Sequence, residues 1–411
     1  MTDVANTARV QGLPSYFIVF VASMVAIGPF AIDTYLPAMP LMASELNADV
    51  VSINGTLSAY LFGFAFGQLF GGPISDQIGR RPIGIIGMVV FCGASLFIAS
   101  ATTISAVILG RVLQAIGGGF ATVICLAMVR DAYEPMEAAK RFPVVMLVML
   151  SAPLLAPAIG TLLLSYGWES IFVFLALYGI VVLVAFLPVP ETATQASGKL
   201  QLGNILPQYI EVLTRRVEGR HIPLRYIFTQ GLLMSATFVF ITNASFIYLQ
   251  YFEIPDKWFA VYFGINILVM MLFTLTTSRL IHRIAPYHLW RSSRLLQFLA
   301  IVLMTVGVSV ADLPIWAFTA LLAITVGAGG MINPSVQGLY LGYFDRLSGS
   351  AVSLMNVSVF LFGSVLGVVS GLFYDGTLRP VVYTMAIAAT AGNLIALYIP
   401  VPKGFVADES P

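Results

Sequence analysis

Stretches of about 20 mostly apolar residues, the length a helix needs to cross a bilayer, recur twelve times along these 411 positions. They fall at about 16–38, 50–74, 83–101, 104–129, 139–165 and 169–188, then at about 225–250, 257–280, 293–311, 314–341, 349–373 and 380–400. The first is too long for the core of a signal peptide and lacks a cleavage site of small residues, so it is read as helix one. A soluble domain carries roughly 25% charged residues, whereas only 9% are charged here and 59% are hydrophobic. A chain of this length cannot keep a water-facing surface with so few charges, so its solvent is lipid. The expectation is an all-α membrane protein of twelve spans. With a net charge of +1 there is no basic surface for nucleic acid. Cys92 and Cys125 each lie in an apolar run, where a cysteine behaves as a small apolar residue rather than a disulfide or metal partner.

Charge placement tests the count. Cytoplasmic loops are rich in Lys and Arg. With both termini inside, the cytoplasmic set is Arg9, Arg80, Arg81, Arg130, Lys140, Arg141, Lys199, Arg215, Arg216, Arg220, Arg225, Arg279, Arg283, Arg291, Arg294, Arg346 and Lys403, seventeen of the 20 basic residues. Lys257 and Arg379 fall outside, and Arg111 sits within a span. Moving one span in or out scrambles this asymmetry.

The only long polar stretch, 189–224, divides the chain six spans and six: 1–188, a linker 189–224, and 225–411. The linker holds Pro190, Gly198 and Gly203, then a basic run from Arg215 to Arg220. Ile205, Ile210, Val212 and Leu213 stand at near-helical spacing, which fits a short helix on the membrane surface or a partner-binding segment. A weak internal repeat supports the division. Gly72-Pro-Ile-Ser-Asp76-Gln-Ile-Gly79-Arg-Arg follows span two, and Ser278-Arg-Leu-Ile-His282-Arg-Ile-Ala285-Pro-Tyr follows span eight. Two six-helix halves of such weak symmetry resemble the major facilitator architecture of two pseudo-symmetric bundles. Gly63, Gly67 and Gly71, and likewise Gly363, Gly367 and Gly371, lie four apart, where small residues let helices approach closely in lipid. Such stripes serve either static packing or a smooth surface on which two halves rock.

Ionisable residues within spans are the informative ones, because each costs at least about 2.5–3.5 kcal/mol to insert. Asp33, in Ala31-Ile-Asp-Thr-Tyr-Leu-Pro37, is the one acidic residue well within a span, and Arg111, in Leu109-Gly-Arg-Val-Leu-Gln114, the one basic residue. An unpaired charge of either sign is expensive, so both are expected to face one cavity. Burial favours the neutral form of a carboxyl and a nearby cation the charged form; a carboxyl under both influences suits a proton carrier. The alternative is a permanent salt bridge tying span one to span four. Between spans two and three, Asp76, Arg80 and Arg81 flank Gly79, which permits a tight turn. Asp76 can cap a helix or pair with a cation such as Arg130, forming a latch if the contact exists in one conformation only; otherwise the arginines merely mark the cytoplasmic side. In span five, Pro153 and Pro157 share one helical face and remove two backbone donors, so a bend is expected, of the kind that borders a cavity at membrane depth.

No GxxxxGK[ST] sequence is present to cradle ATP. His221, His282 and His288 lie in polar segments, and no HExxH or serine-nucleophile pattern occurs. The expectation is therefore a transporter rather than an enzyme, with no catalytic or metal site and no cofactor, drawing its energy from the proton gradient. Candidate pocket residues at mid-membrane depth are Tyr60, Met146, Met149, Phe238, Asn243, Tyr248, Asn266, Met355, Asn356 and Phe360. This set of aromatic, thioether and amide groups suits amphiphilic molecules of modest size, though each could equally serve helix packing.

These segments also resemble a known family. Gly72 to Arg81 resembles the loop signature between helices two and three of the major facilitator superfamily. Arg111-Val-Leu-Gln114 followed by Gly117 resembles its helix-four motif, and Ser151-Ala-Pro through Gly160 its helix-five antiporter motif. Asp33-Thr-Tyr-Leu-Pro-Ala-Met-Pro40 and Val129-Arg-Asp-Ala-Tyr133 are similar to the bicyclomycin and chloramphenicol resistance subfamily of twelve-span drug:proton antiporters. The resemblance covers the whole chain and is densest in the first half. It implies that Asp33 is the protonation site, with Arg111 as its partner and Gln114 in support. Asp76, Gly79, Arg80 and Arg130 would form the cytoplasmic latch. Pro153, Pro157 and Gly160 would seal helix five against the second half. Val25 stands where related exporters can carry a second acidic residue, and Ala115 where a glycine usually follows Gln114. The implied protein is a monomer in the bacterial inner membrane, exporting amphenicol- or bicyclomycin-like drugs against protons. Competing readings are export of an endogenous metabolite or siderophore, uptake by symport, and a membrane enzyme or sensor.

Overall fold

The computed structural model describes residues 10, 12–193, 203, 205–281, 283–344 and 347–401. Arg9, Gly198, Lys199, His282, Arg346 and Lys403, used above for topology or the linker, lie outside them. The described residues are almost wholly helical and include twelve helices long and apolar enough to span a membrane. The chain forms two compact units, Met1–Ile205 and Leu206–Pro411.

The first unit contains α1 (Phe17–Asp33), α2 (Met39–Glu45), α3 (Val50–Ile78), α4 (Arg80–Ala99), α5 (Ile104–Val123), α6 (Cys125–Ala132), α7 (Pro135–Leu163) and α8 (Glu169–Phe186). Span one is not a single helix. Pro37 cannot donate to the carbonyl of Asp33 four residues earlier, so α1 stops at Asp33, a 3-10 turn forms at Leu36–Ala38, and α2 restarts at Met39. Asp49 caps α3, accepting from the Ser52 amide at 2.8 Å. Those bonds hold the Asp49 carboxyl below the usual carboxylate range. Gly79 ends α3 at φ +123°, a conformation that favours glycine, and α4 follows at once. α7 runs unbroken through Pro143, Pro153 and Pro157.

Glycine stripes bring backbones together. A Cβ on Gly63 would lie 2.6 Å from the Val112 carbonyl oxygen, and one on Gly67 2.6 Å from that of Ile116. This stripe is therefore spent packing α3 on α5 inside the first unit, which is the static reading. Cys92 and Cys125 are buried free thiols.

The second unit contains α9 (Ile205–Thr214), α10 (Ile222–Ser245, continued by a π-helical stretch Phe246–Tyr251), α11 (Asp256–Leu280), α12 (Pro286–Val310), α13 (Ile315–Leu341), α14 (Ser348–Leu372) and α15 (Arg379–Leu397). α10 packs against α14 and α15, and α12 and α11 against α13. Gly363 lets α14 close on α10, where a Cβ would meet the Phe238 side chain at 2.8 Å. On α9, Ile205, Tyr209 and Val212 turn inward while Leu206, Ile210 and Leu213 are exposed. The sequence grouping of Ile205, Ile210, Val212 and Leu213 is thus split between two faces.

Several helices start earlier than the apolar windows. α12 begins at Pro286 rather than near 293, so Arg291 and Arg294 are helical, and Arg225 lies in the first turns of α10. A hydropathy ruler stops at the first charge, whereas a helix continues past the hydrocarbon edge as long as its charged side chains can reach polar surroundings.

Candidate functional site

The break in span one builds the site. Asp33 ends α1, is 3% exposed, and its Oδ1 has no hydrogen-bond partner among the described residues. Arg111 on α5 is fully buried. Its guanidinium lies between two rings supplied by the break and by α3, 4.5 Å from the Tyr35 centroid and 4.4 Å from that of Tyr60. Phe172 of α8 stands at 5.8 Å. One Nη donates to the Ala31 carbonyl at 2.9 Å and to Gln114 Oε1 at 2.8 Å. The Gln114 amide donates in turn to Ser95 Oγ at 2.8 Å. The Tyr35 hydroxyl shares a short hydrogen bond with Thr56.

Among the described residues Asp33 and Arg111 form no ion pair. The permanent salt bridge weighed above is absent among the described residues; Arg111 instead bonds the Ala31 carbonyl of the same break. Arg111 is compensated in part, by aromatic faces each worth about 2 kcal/mol when desolvated and by two oxygen acceptors on one Nη, while its Nε and other Nη have no partner among the described residues. Asp33 is left without a cation to lock it as carboxylate.

Gly160 of α7 reaches the same break. A Cβ there would fall 1.8 Å from the Thr34 carbonyl oxygen. That oxygen projects because its helical donor, the amide of Ala38, bonds Tyr35 instead. Gly160 therefore lets helix five close on span one of its own unit, at the residue after Asp33. Pro157 is buried nearby and Pro153 half-buried. The missing amide of Pro157 frees the Pro153 carbonyl, and that of Pro153 frees the Met149 carbonyl.

At the end of α3 a second cluster forms. The nearly buried Arg80 pairs with Asp76 four residues before it, with Asp131 Oδ2 at 3.2 Å, and with Ser75 Oγ at 2.7 Å. Arg130 meets Asp131 at 3.4 Å rather than Asp76. Asp131 is thus the shared anion, and the expected Asp76–Arg130 contact is corrected. Glu191, beyond α8, accepts from the backbone amides of Arg80 at 2.8 Å and Arg81 at 3.0 Å, capping α4. A Cβ on Gly79 would lie 2.4 Å from Glu191 Oε2, so any other residue would push this cap aside as well as strain φ. Sequence reasoning missed Tyr35, Phe172, Ser95, Asp131 and Glu191. Only Asp131 had a visible signal, beside Arg130.

The tentative pocket residues divide between the units. Tyr60 lies under Arg111, while Met146 is half-buried and Met149 exposed on α7. In the second unit, Asn243 is bonded to Val239 and Ser370, Tyr248 to Asn266 and Thr319, and Met355 belongs to the core. Asn356 and Phe360 are half-buried, the latter against Phe238 at 5.2 Å.

A family model for the Major Facilitator Superfamily matches residues 16–368. The chain belongs to this superfamily. Among curated relatives, a bicyclomycin resistance protein homolog of Haemophilus influenzae is 26% identical over 93% of this chain and 95% of its own length. The multidrug resistance protein MdtL of Salmonella dublin is 37% identical over 39% of this chain and 41% of its own. Among solved structures, a D-xylose-proton symporter superposes with a TM-score of 0.73 at 15% identity, covering 94% of this chain and 98% of that one, which is a likeness of fold alone. A major facilitator with twelve spans and bacterial relatives of this kind is a multi-pass secondary transporter of the bacterial inner membrane, not an enzyme. Its substrate is a small molecule and its surroundings are lipid.

Proposed function

We propose that this transporter is a proton-coupled antiporter that exports small amphiphilic drugs, amphenicol- or bicyclomycin-like, by alternating access. The observation that carries the reading is Asp33, buried where span one breaks and bound to no cation. A carboxyl locked in an ion pair cannot be reloaded cheaply in each cycle; one free of a partner can take up and release a proton. Arg111 shapes the break by holding the Ala31 carbonyl, and Gly160 leaves room on α7 for the Thr34 carbonyl. A change in Asp33 protonation is thereby linked to the packing of α1 on α5 and α7. The names of the bicyclomycin and multidrug resistance relatives support drugs as cargo. Asp76, Arg80, Asp131 and Arg130 are read as the latch that distinguishes two conformations. Met146, Asn356 and Phe360, each half-buried, are read as substrate contacts.

The test is drug accumulation in cells expressing the wild type or Asp33→Asn, with and without collapse of the proton gradient. The wild type should lower accumulation only while the gradient stands, and the variant should not lower it at all. Gradient-dependent export by Asp33→Asn would remove Asp33 from the mechanism.

A further inference from the structure

The start of α12 carries cations that no acidic residue answers locally. Between Asp256 and Asp312 the sequence contains no Asp or Glu, yet Arg279, Arg283, Arg291 and Arg294 all fall there. Arg294 is buried; it stacks 4.9 Å over the Trp290 ring and donates to Asn393 Oδ1 at 3.1 Å. Its Nε has no partner among the described residues. Arg291 is exposed, its charge repels that of Arg294, and among the described residues it meets no carboxylate. Beside it lies a groove of about 350 Å³ lined by Ile284, His288, Leu289, Arg291, Ser292 and Leu295. Arg291, His288 and Ser292 form its polar end. From Leu295 the exposed residues Leu299, Leu303 and Val306 continue along α12 at helical spacing, an apolar stripe that faces hydrocarbon.

We propose that this groove binds one anionic glycerophospholipid of the surrounding bilayer, its phosphodiester between Arg291 and His288 and an acyl chain along Leu295, Leu299 and Leu303. Arginine offers phosphate a fork of paired donors. Arg291 lies about 8 Å along the helix, at 1.5 Å per residue, a depth that suits a headgroup rather than the membrane centre. A free anion would use only the polar end of the groove. A zwitterionic lipid would bring its own ammonium against Arg291.

Delipidated full-length protein in detergent is titrated with dioleoyl phosphatidylglycerol, with phosphatidylcholine of the same chains, and with inorganic phosphate, and retained lipid is counted by native mass spectrometry. Phosphatidylglycerol should be retained in preference to phosphatidylcholine. Arg291→Gln should weaken its retention about fivefold, the effect of one basic residue at an anionic surface, and Lys257→Gln, at the far end of α11, should not. Equal retention by Arg291→Gln and the wild type overturns the proposal, as does displacement of the lipid by inorganic phosphate. A second readout needs no variant. Phosphatidylglycerol with a photoreactive headgroup should label peptides spanning Ile284–Leu295, and labelling spread evenly over the loops would overturn the assignment equally.

Discussion

Replacing Asp33 with asparagine and Arg111 with alanine, singly and together, separates two accounts of the site through stability alone. Were these residues a buried ion pair, removing either partner would cost about 3–5 kcal/mol, and the double variant would cost little more than either single one. The structure gives different numbers. Asp33 has no ion pair to lose and an Oδ1 already without a partner, so its near-isosteric replacement should cost under about 1 kcal/mol, or a Tm shift under about 4 °C at 2–4 °C per kcal/mol. Arg111→Ala removes two hydrogen bonds from a charged donor and two ring contacts. At about 1.5–3 kcal/mol per charged hydrogen bond, and with allowance for non-additivity, the loss should be roughly 3–5 kcal/mol. The coupling energy between the two substitutions should stay under about 1 kcal/mol, because both groups border Tyr60 but no ion pair joins them. Purified full-length variants are unfolded in one detergent and their midpoints compared. Equal destabilisation by the two single variants, with coupling above about 2 kcal/mol, would refute the reasoning and restore the ion pair.

The same logic gives three further outcomes. Asp131→Asn, which strips the nearly buried Arg80 of its inner partner, should cost about 1.5–3 kcal/mol, whereas Asp76→Asn, whose carboxylate is largely exposed, should cost under about 0.5 kcal/mol; thermal unfolding in detergent ranks them. Gly160→Ala should reduce transport at least tenfold while the protein still inserts, because its Cβ cannot coexist with the Thr34 carbonyl; a fully active alanine variant would separate α7 from the break. Glu191→Ala should lower stability by about 1 kcal/mol through loss of the α4 cap, with hydrogen exchange increasing at the Arg80 and Arg81 amides.

Much of the fold was legible because hydrocarbon is an uncompromising solvent: the number and length of the spans follow from composition along the chain. The break after Asp33 was missed. The hydropathy window ran span one on to 38 through Pro37, and where the freed carbonyls go depended on Gly160, which lies 127 positions away from Asp33 in sequence. The compensation of Arg111 was not legible. A lone buried arginine suggests a carboxylate, and nothing local says that Tyr35 and Tyr60 will supply faces instead, because their positions depend on helix packing. Glu191 was hidden for the same reason: a cap drawn from beyond α8 has no sequence spacing relative to α4. The boundary of α12 was misplaced because hydropathy measures the bilayer, not the helix.

The central claim is that one carboxyl, Asp33, carries the proton that drives export. With a single site, one proton exchanges for each substrate molecule. Export of a neutral compound then moves one net charge, worth about 2.3 kcal/mol per 100 mV; a monovalent cation moves none, and a dication must leave against the potential. The direct measurement uses proteoliposomes containing a pH-sensitive dye and reconstituted wild-type or Asp33→Asn protein, with membrane potential and pH gradient imposed separately. The wild type should release protons when a neutral amphiphilic substrate is added, respond to the potential, and transport dications poorly. Asp33→Asn should show no substrate-linked proton movement. Substrate-linked proton release by Asp33→Asn, or dication export as fast as that of neutral compounds, would contradict the claim and require a second proton site.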